Sequence, residues 1–172
     1  MRTKSTRLGA VLVVALASLT AGAPDASATV TVTEGVQTPV GADHACSLAE
    51  PGAFATYWMD GSLVGCWYLD DFVVRGAHAS GTFQATGAEH FVGCLDRSGD
   101  GSCSAGDPSG TLWFRFVFTA KYDAATFTQE IHGRCHHPVV AGSGGFAGAK
   151  GQISFTDDVA TGAAPYWGPL SV

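Results

Sequence analysis

Basic residues are scarce in this chain of 172 residues. Nine lysines and arginines stand against fifteen aspartates and glutamates, and the formal net charge is −6 at pH 7. No basic stripe interleaved with aromatic residues occurs in the sequence. Proteins that bind nucleic acid neutralise its phosphates with lysine and arginine, so an acidic surface of this kind repels such a ligand. The composition therefore predicts no nucleic-acid partner.

Long apolar runs are also absent, apart from one near the N-terminus. Residues 8–19 are largely apolar but too few for a membrane span of about 20 residues. Three basic residues precede this run and Ala26-Ser27-Ala28 follows it, which is typical of a secretory signal peptide. We expect cleavage after Ala28 and a secreted, extracellular protein with no membrane span. The lysine-poor composition, rich in alanine, glycine and valine, favours a bacterial source with a GC-rich genome.

Familiar catalytic motifs are missing too: the sequence contains no nucleophile elbow, H-E-x-x-H, phosphate loop or paired-carboxylate motif. Glu130 and His132 share one face of a predicted strand and could act as an acid–base pair. Because Phe127 and Ile131 are predicted to face the core, we assign that pair to the solvent-exposed face.

A second motif, Cys135-His136-His137, could bind zinc or copper. Adjacent residues of a strand point to opposite faces, however, and this favours histidines that lie on the surface or form hydrogen bonds.

Helical periodicity is hard to find after residue 53, where short β-rich runs alternate with turn signals. Asp60-Gly61 is typical of a type I′ hairpin between two such runs. Residues 110–122 alternate strictly, and one face of that predicted strand carries Leu112, Phe114, Phe116 and Phe118. This apolar row predicts either a filled core or an aromatic-lined ligand cavity.

These runs amount to about eight antiparallel strands, and we predict an all-β fold in which they close into a barrel. A barrel of eight strands is just filled by its side chains or holds one small ligand, and closure removes exposed sheet edges. A Greek-key β-sandwich is the alternative. We expect a signal peptide at 1–28, an N-terminal arm packed on the barrel at 29–52 and the β-barrel domain at 53–172.

The five cysteines suit an oxidising compartment, and their odd number leaves at least one unpaired within the chain. Cys94 and Cys103 bracket eight residues, a span that one disulfide could close. The pairing of Cys46, Cys66 and Cys135 stays open, although we favour Cys46–Cys66 because these two flank one hairpin.

The loop between Cys94 and Cys103, continued to residue 107, has the spacing of a calcium-binding loop. Oxygen-bearing residues occupy positions 1, 3, 5, 7, 9 and 12 of an EF-hand pattern, with Gly101 at position 6. These candidate calcium ligands are Asp96, Ser98, Asp100, Ser102, Ser104 and Asp107. Position 12 is an aspartate instead of the longer glutamate, and the flanks are predicted strands instead of helices. A weak calcium site and an acidic hairpin loop pinned by a disulfide are therefore both open.

A glycine-rich stretch at residues 142–152, GSGGFAGAKGQ, can make a tight backbone turn that Phe146 plugs into the core. The stretch resembles the G-[ST]-G-x-F-x-G-A-x-G segment of the allene oxide cyclase barrel family, which is related to plant dirigent proteins. The resemblance implies an eight-stranded, calycin-like barrel that is often a trimer. It also implies an activity that cyclises an unstable fatty-acid epoxide or directs radical coupling. It carries over no active-site residue, because the matching segment is structural.

Two function classes follow from these features. The first is a non-catalytic secreted barrel, stabilised by disulfides and with calcium as an optional cofactor, that binds a small hydrophobic ligand or a protein partner. The second is a cyclase or isomerase that folds a reactive substrate inside the barrel. A polar residue facing an open lumen would favour the second class, and a lumen closed by phenylalanines the first. The absence of a recognisable acid–base set favours the binding protein.

Overall fold

The computed structural model describes residues 30–40, 46 and 54–172. Eight strands form one closed antiparallel barrel, in which each strand pairs with its neighbours in sequence and the first strand pairs with the last. They are β1 (Val30–Pro39), β2 (Phe54–Gly61), β3 (Leu63–Ala77), β4 (Thr82–Leu95), β5 (Ser109–Tyr122), β6 (Glu130–Gly144), β7 (Lys150–Thr156) and β8 (Ala164–Ser171). The predicted all-β barrel is confirmed, and its closure excludes the sandwich.

Residues 30–39 are a strand of the barrel, whereas the sequence analysis placed them in an arm outside it. β1 pairs with β2 on one side and with β8 on the other, and so it closes the sheet. Its alternating sequence is that of a strand, and both sheet edges need a partner for their backbone groups. The domain boundary at residue 53 therefore does not hold for this segment. The predicted signal peptide and most of residues 40–52 lie outside the described residues.

β3 and β4 are longer than the sequence predicts. Each of them joins two β-rich segments between which the sequence has residues typical of a turn. In β3 a register shift between Leu69 and Asp71 carries the strand through two consecutive aspartates. In β4 Gly87 lies opposite Phe72, where a Cβ atom would collide with the carbonyl oxygen of Asp71. Glycine at this position allows two strands to approach each other and does not mark a turn.

Apolar side chains fill much of the barrel. Trp67 lies at the centre of this core, has no exposed surface and stacks on Phe114 with ring centroids 4.7 Å apart. Buried and exposed side chains alternate along β5 as the sequence predicts. Phe146 from the glycine-rich stretch is fully buried against Phe91. The fully buried members of the core are Met59, Leu63, Trp67, Phe91, Leu95, Leu112, Phe114, Phe146, Ile153 and Leu170.

Two disulfides lie near the barrel wall. Cys46 is bonded to Cys66 and Cys94 to Cys103, and Cys135 is free. The Cys46–Cys66 bond packs with Tyr68 in a small second cluster separate from the main core. Disulfides of this kind persist in oxidising compartments. Nothing helical in the described part of the chain has the length and apolar character of a membrane span.

Candidate functional site

A cavity of about 600 Å³ occupies the end of the barrel that carries the β5–β6 and β7–β8 connections. We call it the lumen cavity. The apolar row of β5 divides between two roles, because Leu112 and Phe114 belong to the packed core whereas Phe116 and Phe118 line the cavity. The lining residues include aromatic, aliphatic and polar side chains, among them Tyr57, Leu69, Phe72, Glu89, Phe116, Phe118, Glu130, Cys135, His137, Asp157 and Asp158.

Glu89 and His137 form an ion pair in the wall of this cavity when the imidazole is protonated. Oε2 of Glu89 lies 2.6 Å from Nε2 of His137, and the two side chains are 13% and 5% exposed. Glu89 comes from β4, between the apolar cross-strand neighbours Leu69 and Phe114. Nδ1 of His137 has no hydrogen-bond partner among the described residues. A buried charge without water depends on such a partner, so each group of the pair requires the other.

Glu130 and Asp157 bring a second pair of carboxyl groups into the cavity. Both meet at the inward face of Gly133, where a Cβ atom would collide with Oδ2 of Asp157 and Oε1 of Glu130. Burial raises the pKa of Glu130 to about 7, and a hydrogen bond from its protonated form to Asp157 adds to this effect. The hydroxyl of Tyr122 donates to Oε2 of Glu130 at 3.2 Å. Once Glu130 is ionised, its buried Oε1 has no donor.

The raised pKa of Glu130 predicts a pH-dependent stability. The folded state holds this proton more tightly than the unfolded chain, whose glutamate has an ordinary pKa of 4.5. The contribution is therefore fully present below about pH 4.5 and is lost as the pH rises through about 7. The full shift corresponds to about 3 kcal/mol, and solvent around the partly exposed side chain reduces this to about 1–2 kcal/mol. Urea unfolding from pH 4.5 to 8 should show this slope, and Glu130→Gln should remove it. An unchanged slope in that variant would contradict the assignment.

Tyr57 and Cys135 stay protonated beside these acids. Burial raises the pKa of the Tyr57 hydroxyl, and the nearby carboxyl groups of Asp157 and Glu89 raise it further. Burial also raises the pKa of the Cys135 thiol, whose Sγ lies 3.4 Å from Nε2 of His137. A buried thiol with a raised pKa is a poor nucleophile, so Cys135 is not an activated cysteine. Tyr57 retains a hydroxyl proton that it can donate to a bound molecule.

The structure corrects the predicted pairing of Glu130 with His132. A register shift between Lys121 and Tyr122 makes Ile131 an extra residue on β6, so Glu130 faces the lumen and His132 faces solvent. Ile131 is 53% exposed and is not a core residue. A β-bulge of this kind reverses the alternation of side chains on either side of it. The predicted acid–base pair is therefore separated, and Glu130 meets Asp157 instead.

The Cys135-His136-His137 motif divides between the two faces of β6. His136 is exposed on the outer face, where Nδ1 lies 3.1 Å from Oγ of Ser154, whereas His137 is buried in the lumen. This is the opposite orientation that a strand imposes on adjacent residues. Among the described residues, no group of three or more histidine, cysteine, aspartate or glutamate side chains is placed to hold a metal ion.

The residues predicted to bind calcium all lie in one loop, at the other end of the barrel from the lumen cavity. The Asp96 carboxylate accepts hydrogen bonds from the backbone N–H groups of Ser98, Gly99 and Gly101. The hydrogen bond from the Ser98 hydroxyl and those from the backbone lower the pKa of Asp96. In the same way Asp100 accepts from Ser102, and Asp107 from the backbone N–H of Arg97 and Ser104. These carboxylates hold the turns of their own loop, and calcium binding there stays a prediction.

The sequence analysis missed two lumen residues, Glu89 and Asp157, and did not place His137 in the lumen, although a signal for each was present. Glu89 is in phase with the buried Phe91 along β4. Asp157 follows Ile153 and Phe155 at the same two-residue spacing. His137 lies two residues after Cys135 and therefore shares its face of β6. An acidic residue or a histidine that lies an even number of positions from inward-facing residues of a strand also faces inward, and is therefore a candidate lumen residue.

The described lumen therefore combines aromatic walls with groups that can donate, accept or share a proton. Binding sites for small molecules have this composition, with mostly apolar walls and a few placed polar groups. No protein-family model matches the chain, and none of the curated proteins compared with it is significantly similar to it.

Proposed function

We propose that this protein is a secreted barrel that binds one small, largely apolar molecule in the lumen cavity. The observation that carries the proposal is the cavity of about 600 Å³ inside an otherwise packed barrel. This volume falls within the range of about 300–1,000 Å³ in which proteins hold small molecules. Secretion is supported by the two disulfides, which suit an oxidising compartment.

The ligand would enter at the end that carries the β5–β6 and β7–β8 connections, because the core fills the barrel beyond the cavity. Phe72 lies at this mouth, is 48% exposed and packs near Phe83 and Phe116 with ring centroids 6.5 Å and 6.0 Å away. An exposed phenylalanine that continues an aromatic wall offers contact area to an apolar ligand.

A neutral fluorescent probe tests this proposal. We expect N-phenyl-1-naphthylamine to bind with a stoichiometry of one and to increase in fluorescence as it leaves water. Leu69→Trp replaces an aliphatic side chain of the cavity wall by a larger indole ring. The variant should bind the probe about tenfold or more weakly, because the indole ring removes volume that the probe needs. Thr119→Trp adds the same ring on the exposed face of β5 and is the matched control. Equal probe binding by the two variants, with both still folded, would place the probe outside the lumen.

A second candidate is an isomerase or cyclase, and the observation that favours it is the Glu89–His137 pair facing the lumen. Proton transfer by a positioned histidine or carboxyl group is the usual means of general acid–base catalysis. The resemblance of residues 142–152 to the allene oxide cyclase barrel family supports the same class, and a trimeric state implied by it stays a prediction. Binding is the first candidate because it requires only the cavity, whereas catalysis also requires a substrate of matching reactivity.

A further inference from the structure

The ionisable groups of the lumen cavity are predominantly acidic. Among the described residues that line it, Glu89, Glu130, Asp157 and Asp158 carry carboxyl groups, whereas lysine and arginine do not contribute. His137 is the only basic side chain among these described lining residues. A ligand with its own carboxylate would meet like charge here, and a ligand with a positive charge would meet opposite charge.

Two of the four carboxyl groups already have partners that account for their charge. Glu89 lies against His137. Asp158 caps its own turn by accepting hydrogen bonds from the backbone N–H of Ala160 and the hydroxyl of Thr161. The remaining two, Glu130 and Asp157, face each other and share a hydrogen bond while Glu130 is protonated, but once Glu130 is ionised its buried Oε1 has no donor. With Glu130 ionised, this oxygen is an acceptor in the cavity wall to which a ligand could donate a hydrogen bond.

An aromatic ring lies near that oxygen. The point at which a Cβ of Gly133 would stand is close to both carboxyl groups and also to Cε2 of Phe118. Because residue 133 is glycine, the two carboxyl groups can occupy the space that a side chain would take there. A carboxylate pair next to the ring of Phe118 is a favourable setting for an ammonium group, which bonds to carboxylates and is attracted to aromatic faces.

We propose that the lumen cavity binds a small organic amine as its ammonium ion, with the charged group against the carboxyl groups of Glu130 and Asp157 and the apolar body against Phe116 and Phe118. This inference rests on the lumen being the ligand site proposed above and specifies the class of ligand. A primary ammonium supplies three N–H donors, one of which reaches the unpartnered oxygen of Glu130. The same charge arrangement disfavours fatty acids and other anionic apolar molecules.

Three indoles of nearly equal shape separate charge from size. Tryptamine is a cation, tryptophol is neutral and indole-3-acetate is an anion, and each can be titrated calorimetrically into the purified protein at pH 8. We expect tryptamine to bind at least tenfold more tightly than tryptophol, and indole-3-acetate to bind most weakly. Charge-assisted hydrogen bonds are about twice as strong as neutral ones, and the anion would be repelled. Equal affinity for the three compounds, or tightest binding of indole-3-acetate, would overturn the inference.

Replacing each carboxyl group by the isosteric amide tests which charges cause the preference for tryptamine. Glu130→Gln and Asp157→Asn should each reduce the ratio of tryptamine to tryptophol affinity to about threefold, and the double variant should abolish it. Asp60→Asn removes one negative charge at the opposite end of the barrel and should retain the full ratio. If the ratio persists in a folded double variant, the ammonium does not lie against these carboxyl groups and the inference fails.

The preference for tryptamine should also rise with pH. Glu130 has a pKa of about 7, so below this value the pair carries one fewer negative charge than above it. We expect the ratio to increase between pH 6 and pH 8. The other titratable groups that face Glu130 are Asp157, Tyr122 on β5, Tyr57 on β2, Cys135 and His137 on β6, and Glu89 on β4. A ratio that is flat over this range in the wild type would contradict the role of Glu130.

The outcomes distinguish the ligand class from the proposed function. A protein that binds N-phenyl-1-naphthylamine but not tryptamine retains the function proposed for the cavity and loses the amine inference. A protein that binds neither the neutral probe nor any of the indoles loses both.

Discussion

Replacing Trp67 by alanine should destabilise the barrel by about 3–5 kcal/mol, the usual cost of removing a large aromatic side chain from a core. Trp67 has no exposed surface and contacts four other rings, those of Phe91, Phe114, His137 and Phe155. No neighbouring side chain is free to fill so large a space, because the rings around it are themselves part of the packed core. Urea unfolding followed by circular dichroism measures the loss.

Trp167 provides the matched control for this prediction. It lies on β8, is 49% exposed and faces away from the core. Trp167→Ala should therefore change the free energy of unfolding by about 0.5 kcal/mol or less, as is usual for surface substitutions. Similar losses in the two variants would mean that the inside and outside of the barrel have been assigned incorrectly.

Replacing His137 by leucine should cost about 3 kcal/mol, because Glu89 would lose the group that lies 2.6 Å from its carboxylate. The double variant Glu89→Met with His137→Leu removes both polar groups and should recover most of the stability. Denaturant midpoints for the single and double variants measure these differences.

Recovery of stability in the double variant would show that the Glu89–His137 pair stabilises the fold no more than apolar residues do. A buried ion pair is often no more stabilising than apolar residues of similar volume, and its retention then points to a role in binding or chemistry. His132→Leu, an exposed position on the same strand, is the control and should be close to neutral. A double variant that is less stable than His137→Leu alone would instead assign the pair to the fold.

The local patterns that predict strands were reliable where the alternation is uninterrupted. Along β5, Leu112, Phe114 and Phe116 are buried and the residues between them are exposed, as the two-residue period requires. The same alternation is present along β1, whose residues the sequence analysis assigned to an N-terminal arm. Its place in the barrel depends on pairing with β8, a strand more than a hundred residues away in sequence.

Side-chain alternation along the strands predicts the position of some acidic lumen residues but not of all. Glu89 lies two residues from the buried Phe91, and Asp157, directly after β7, lies two residues from the buried Phe155. The sequence therefore contains the information that places both in the lumen. The position of Glu130 does not follow from this alternation, because the extra residue Ile131 reverses the phase at the start of β6. Nothing in the sequence around Ile131 signals this bulge, since it arises from the register between β5 and β6.

By itself the sequence determined the fold class, the strand character of most segments and the apolar row that fills the barrel. These follow from side-chain periodicity and turn residues, which act over a few neighbouring positions. Only the tertiary structure decided that β1 closes the barrel, that the core stops short of one end, and that Glu130 meets Asp157 at Gly133. Each of these depends on contacts between strands far apart in sequence, where register and the sizes of facing side chains decide whether space is filled or left open.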